Sequence, residues 1–174
     1  MPSRKADTFR WDPLVRITHW GVVFCCAANL WFDEAGEDLH EQLGYLVIAL
    51  IAVRWLWGLS FADKYARLAS LWPTRAELVQ QRKEMSERLP PAPGHHGTGK
   101  LAVWALWLTI LATAGTGWLQ TTEQGIDWSA DDWHEWCTWA LQGLIALHLS
   151  AVVYTSWRQR SNLVKRMLPG HLSR

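Results

Sequence analysis

Hydrophobic and polar positions along this chain separate into long blocks rather than alternating at short range. Four apolar runs, Leu14 to Phe32, Leu43 to Phe61, Leu101 to Leu119 and Trp136 to Trp157, are divided by stretches that hold nearly all the charge. Each is close to the ~20 residues an α-helix needs to cross the hydrocarbon core of a bilayer. The third run is clean, whereas the first is interrupted by Arg16, His19 and Asn29, the second by Arg54 and the fourth by His148. Pro13 suits the first turn of a helix and Asp12 can cap it. The segment from Ala62 to Lys100 contains Pro73, Pro90, Pro91 and Pro93, yet Thr74 through Arg88 reads as a surface helix. Thr74 with Glu77 three residues on has the form of a capping box. The pattern predicts an all-α integral membrane four-helix bundle occupying residues 1–174 as one domain, with spans at about 14–32, 43–61, 101–119 and 136–157.

Charge orients the bundle. Of the 17 Lys and Arg, four (Arg4, Lys5, Arg10, Arg16) lie in the N-terminal tail and its junction, six in the middle loop with Lys100 at its end, and five after Trp157. Arg54 alone remains. The two short loops, Asp33 to Gln42 and Gln120 to Trp133, hold no Lys or Arg. The positive-inside rule therefore predicts that both termini and the middle loop are cytoplasmic and that the acidic loops face outward. The bacterial inner membrane is the expected location. No small-residue cleavage site follows the first apolar run, so it reads as a retained span rather than a signal peptide.

Composition sharpens this picture in three ways. Fourteen tryptophans suit a protein with much of its surface at the membrane interface. A net charge of +1 argues against nucleic-acid binding. The three cysteines, Cys25, Cys26 and Cys137, build no disulfide framework and read as small buried hydrophobes. No Cys-x-x-Cys-His stretch is present for covalent haem attachment.

The candidate chemistry lies in the histidines. His134 and His148 are fourteen residues apart, a little under four helical turns, which puts both on nearly one face at depths ~21 Å apart. With the predicted topology, His40 matches His134 at the outer side and His19 matches His148 at the inner side. An ionisable residue such as His148, flanked by Leu147 and Leu149 inside a span, marks a functional site by default. Two separated pairs do not suit zinc or copper, which need three or four ligands in one small volume. A macrocycle with two axial ligands suits them well. Gly44 lies one turn below His40, where it would let such a group approach the backbone, and Gly21 and Gly143 lie near the other histidines. Arg54, fourteen residues after His40, either meets anionic propionates or snorkels to the cytoplasmic interface. His95, His96 and His171 have no partner at matching depth and read as surface residues.

Longer motifs add a family resemblance. Trp11-Asp12-Pro13-Leu14-Val15-Arg16-Ile17-Thr18-His19-Trp20 resembles the opening of the prokaryotic cytochrome b561 family, which includes the b-type subunit of nickel–iron hydrogenases. Leu39-His40-Glu41-Gln42-Leu43-Gly44-Tyr45, continuing to Arg54-Trp55-Leu56-Trp57-Gly58, is similar to its second span, and Lys64-Tyr65-Ala66-Arg67 to the segment after it. His134, His148 and Asn162-Leu163-Val164 are similar to its end. The resemblance implies two haem b groups with His19, His40, His134 and His148 as axial ligands, and electron transfer across the membrane. Where the family often has His-Asn-Pro-Leu-Gly before the third span, this chain has His95-His96-Gly97-Thr98-Gly99, without the proline.

Three functions follow as expectations. The first is an electron-transfer subunit between the quinone pool and a c-type cytochrome, hydrogenase or other dehydrogenase; ten outer carboxylates and no outer cations would dock a basic partner. The second is a stand-alone superoxide:quinone oxidoreductase, against which the acidic outer loops count. The third is a non-redox membrane scaffold, which would tolerate loss of His148 and bind no pigment.

Overall fold

The computed structural model describes residues 9–31, 38–89, 94 and 97–168. Four long helices dominate: α1 (Pro13–Trp31), α2 (Asp38–Ser60), α4 (Gly97–Leu119) and α6 (Ala130–Arg158). Two shorter ones, α3 (Arg75–Glu87) and α5 (Glu123–Asp127), lie in the connections, and no strand occurs among the described residues. All four long helices are long and apolar enough to cross a membrane. The acidic residues Asp33, Glu34 and Glu37 and the histidines His95, His96 and His171 lie outside the described residues.

The apolar runs mark these helices but understate them. α2 begins at Asp38 and α6 at Ala130, ahead of the apolar runs, so His40 and His134 belong to helices rather than to the loops before them. Acidic side chains in the first turns, Asp38 and Glu41 in α2 and Asp131 and Asp132 in α6, complement the positive end of each helix dipole. Hydropathy reports where lipid begins, whereas hydrogen bonding decides where a helix begins. The 29 residues of α6 span ~43 Å, well beyond the ~30 Å of hydrocarbon.

Capping follows the sequence closely. Asp12 Oδ1 accepts from the backbone N–H groups of Leu14 (2.8 Å) and Val15 (3.4 Å) at the start of α1. Thr74 and Glu77 form the reciprocal capping box of α3. The start of α4, where the proline is missing, is held from α3 instead. Gln81 Oε1 accepts from the Thr98 N–H at 3.0 Å, and Gln81 Nε2 donates to Thr98 Oγ1 at 2.6 Å. Gly97 makes this close approach possible, since a Cβ there would fall 2.8 Å from Leu78 Cδ2.

Packing joins α1 to α2, α4 to α6, and α2 to α4; α6 stays further from α1 and α2. The core between the helices is built from Cys25, Leu43, Val47, Ile51, Ile110 and Leu141. Other apolar side chains point outward: Phe24, Leu108, Leu147 and Val153 are each more than 60% exposed. Such a surface is stable only in contact with lipid.

A second cluster closes one end. Trp11, Val15, Ala62 and Ala66 pack with Phe9, Trp57, Tyr65 and Met167. The C-terminal segment is tied to α1 there: Trp20 Nε1 donates to the Met167 carbonyl (2.9 Å) and Arg16 Nη1 to the Leu168 carbonyl (2.9 Å). The entry to α1, the segment after α2 and the segment after α6 therefore share one end of the bundle. α3 is fastened at that end by Lys100, whose Nζ meets Glu77 Oε1 at 2.5 Å. This partnership holds the Glu77 carboxyl below its usual range, chiefly through the Lys100 hydrogen bond, with partial burial opposing and Thr74 assisting.

Candidate functional site

At the other end of the bundle, α2 and α6 each present an imidazole to the gap between them. The His40 and His134 ring centres are 6.2 Å apart, with their planes inclined at 65°. Both rings are half-buried. α1 helps to set the start of α2: Asn29 Nδ2 donates to the His40 carbonyl at 3.1 Å, which accounts for an asparagine within the first apolar run.

His134 is held from behind by α4. Its Nδ1 lies 2.9 Å from the Thr113 carbonyl oxygen and 3.3 Å from Thr116 Oγ1. A carbonyl only accepts, so Nδ1 carries the proton and Nε2 keeps its lone pair. Gly117 completes the seat, because a Cβ there would fall 3.1 Å from His134 Cε1 and 3.3 Å from Nδ1. These three residues come from the run that looked featureless. The signal was the spacing Thr113, Thr116, Gly117, which places small and hydroxyl side chains on one helical face one turn apart.

Nearer the closed end, His19 of α1 and His148 of α6 are both half-buried. The Nδ1 atoms of His19 and His40 are shielded from water and meet no hydrogen-bond partner among the described residues. A buried polar atom left this way costs about 1–3 kcal/mol, so each ring has an unmet demand for a partner. Of the histidines singled out in the sequence, His40 and His134 are neighbours across the α2–α6 gap.

The glycines divide into two roles. A Cβ on Gly44, one turn from His40, would meet nothing within 4 Å, so that backbone faces open space. The same holds at Gly143. Gly21 serves packing instead, since a Cβ there would fall 2.9 Å from Leu50 Cδ1 on α2.

Arg54 is buried and does not snorkel into water. Its Nη2 donates to the Ala66 carbonyl at 2.6 Å, and its guanidinium carbon sits 5.9 Å from the centre of the Trp107 ring. Arg54 therefore ties α2 to the segment that follows it and to α4. Nη1 is also buried and has no partner among the described residues.

Comparison with known proteins gives one result. The family model of prokaryotic cytochrome b561 matches residues 10–170, and the chain belongs to that family. No curated protein and no solved structure matches it. Membership, together with four apolar helices, makes this a multi-pass membrane protein of the b-type haem electron-transfer class.

Proposed function

We infer that this chain carries electrons across the bacterial inner membrane through two b-type haems, between the quinone pool and a redox partner. His40 and His134 would hold the outer haem, and His19 and His148 the inner one, with both chain termini cytoplasmic. The observation that carries this reading is the 6.2 Å separation of the His40 and His134 rings. An imidazole–metal–imidazole unit with ~2 Å bonds, and ~1.1 Å from each nitrogen to its ring centre, has ring centres ~6 Å apart. The open space at Gly44, one turn from His40, leaves room for a planar group beside that ring.

A haem bound through two histidines supplies a one-electron iron couple with no open coordination position. The chain does the rest. Thr113 fixes the tautomer of His134 and makes Nε2 the donor atom, while Thr116 and Gly117 fix the ring's position. Gly44 leaves room on the α2 side. Arg54 Nη1, buried and unpartnered, offers a charge-assisted hydrogen bond to an anionic group such as a propionate. Asp131, Asp132 and Glu135 surround the outer end without a cation from the same helix turn, which suits a basic partner such as a c-type cytochrome, or a hydrogenase or dehydrogenase subunit. The same carboxylates would repel superoxide.

The test is haem stoichiometry with reduced-minus-oxidised absorbance spectra of the purified chain. Two haems per chain are expected, reducing with a sharp α-band and without carbon monoxide binding. His40→Ala and His148→Ala should each remove one haem and leave the other. A colourless protein expressed with adequate haem, or a pigment indifferent to both substitutions, would refute the reading.

A further inference from the structure

We propose that the junction of α3 and α6 is a binding site for one anionic phospholipid, with the phosphate held by Arg88, Arg158 and Arg160 and an acyl chain lying along the end of α6. A cavity of about 90 Å³ is lined by those three arginines and Trp157. It has room for several water-sized groups, enough for a phosphodiester. A groove of about 450 Å³ shares Arg160 and continues past Val152, Val153 and Val164, with Ser156, Ser161 and Asn162 also lining it. A cationic cavity and a groove with a valine-lined wall, joined at one arginine, match the two ends of an amphiphile.

Among the described residues, these charges are not neutralised by ion pairs. Arg158 Nη2 donates to the Ser86 carbonyl of α3 at 3.2 Å, which fixes the guanidinium across the junction. Its Nη1 is shielded from water and has no partner among the described residues. No described carboxylate pairs with any of the three arginines. Arg88 and Arg160 end their helices in the left-handed region, with φ of 56° and 50°. Such left-handed residues commonly terminate helices, and both arginine side chains line the cavity. Complementing the dipole of α6 does not account for Arg158, which reaches a carbonyl of α3 instead.

The location selects a lipid. Trp157 and Tyr154 are exposed beside the cavity, with ring centres 6.2 Å apart, as aromatic side chains at a membrane interface are. This end carries the basic middle loop and C-terminal segment, so by the positive-inside rule it faces the cytoplasmic leaflet, where basic pockets between helices bind anionic headgroups.

Native mass spectrometry of the full chain in detergent tests this with phosphatidylglycerol, phosphatidylcholine of the same acyl chains, and glycerol phosphate. Phosphatidylglycerol should be retained about tenfold or more over phosphatidylcholine, and Arg88→Gln, Arg158→Gln and Arg160→Gln should each lower its affinity about fivefold. Arg75→Gln and Arg82→Gln, exposed on α3, should leave it unchanged. Each variant is scored only on material eluting as the wild-type species, and Arg88→Lys, which keeps the charge, should retain most of the binding. Equal retention of the two lipids would overturn the proposal, as would equal losses in the α3 control variants. Glycerol phosphate binding as tightly as the lipid would show a soluble-anion site and overturn the lipid assignment.

Discussion

Gly117 offers a sharp test of how α4 serves His134. A methyl group added there would sit 3.1 Å from His134 Cε1 and 3.3 Å from Nδ1. Those distances require the imidazole to retreat by a few tenths of an ångström. The ring is not free to do so, because Nδ1 is bound to the Thr113 carbonyl at 2.9 Å. Gly115, two residues earlier on the same helix, is the internal control, since a methyl group there would meet nothing within 4 Å. Replacing glycine by alanine within a helix ordinarily stabilises by about 0.8–1.0 kcal/mol. Gly115→Ala should show that gain. In Gly117→Ala the gain should be offset by about 0.5–1.5 kcal/mol of side-chain strain. Disturbing a residue that orients a ligand typically costs about 10–100-fold in affinity or activity, so, if His134 holds a haem as proposed, Gly117→Ala should release haem more readily than Gly115→Ala on dilution into haem-free detergent. The assays are haem per chain, a redox titration and a thermal melt, run on both variants. Identical behaviour of Gly115→Ala and Gly117→Ala would refute the view that α4 fixes the histidine.

Three further outcomes are expected. Glu77→Gln should destabilise the protein at neutral pH, with the difference from wild type vanishing on acidification. A carboxyl whose folded value is depressed contributes stability above its ordinary range and loses it as pH falls through the depressed value. Thermal melts across that acidic range check this, and a difference that persists at the acid end would contradict it. Arg54→Met should free the segment after α2, because the bond to Ala66 is lost from a buried site; hydrogen bonds to charged groups contribute about 1.5–3 kcal/mol. Faster proteolysis between residues 62 and 72 would report it, and Arg54→Lys should restore little, since a lysine lacks the planar fork that reaches both Ala66 and Trp107. Leu71→Ala should cost about 2–5 kcal/mol by opening a cavity at a fully buried side chain, seen as a lowered melting temperature.

Much of this architecture was legible from residue order because lipid imposes strong one-dimensional rules. A span must be apolar for ~20 residues and must satisfy its own backbone, so four spans could be counted directly. The capping box at Thr74 and the cap at Asp12 were equally local, since their partners lie within three residues. Position along a helix is linear in residue number, which is why His40 and His134 could be expected at one end of the bundle, where their rings meet. Helix ends were less legible: the polar starts of α2 and α6 lie outside the apolar runs, and backbone hydrogen bonding continues through them.

What residue order alone determined, then, was the class, the four apolar helices and the position of each imidazole along its own helix, all properties of single helices. Only the tertiary structure decided which neighbour each side chain meets. It gave His134 its seat on Thr113, Thr116 and Gly117, drew Asn29 to the His40 backbone, and assigned Gly21 to packing but left Gly44 open. It also turned Arg54 toward Ala66 and Trp107. These choices depend on the rotation of each helix about its axis and on contacts between residues far apart in the chain. Hydrophobicity is nearly non-directional and leaves that rotation open; close packing and hydrogen-bond geometry close it.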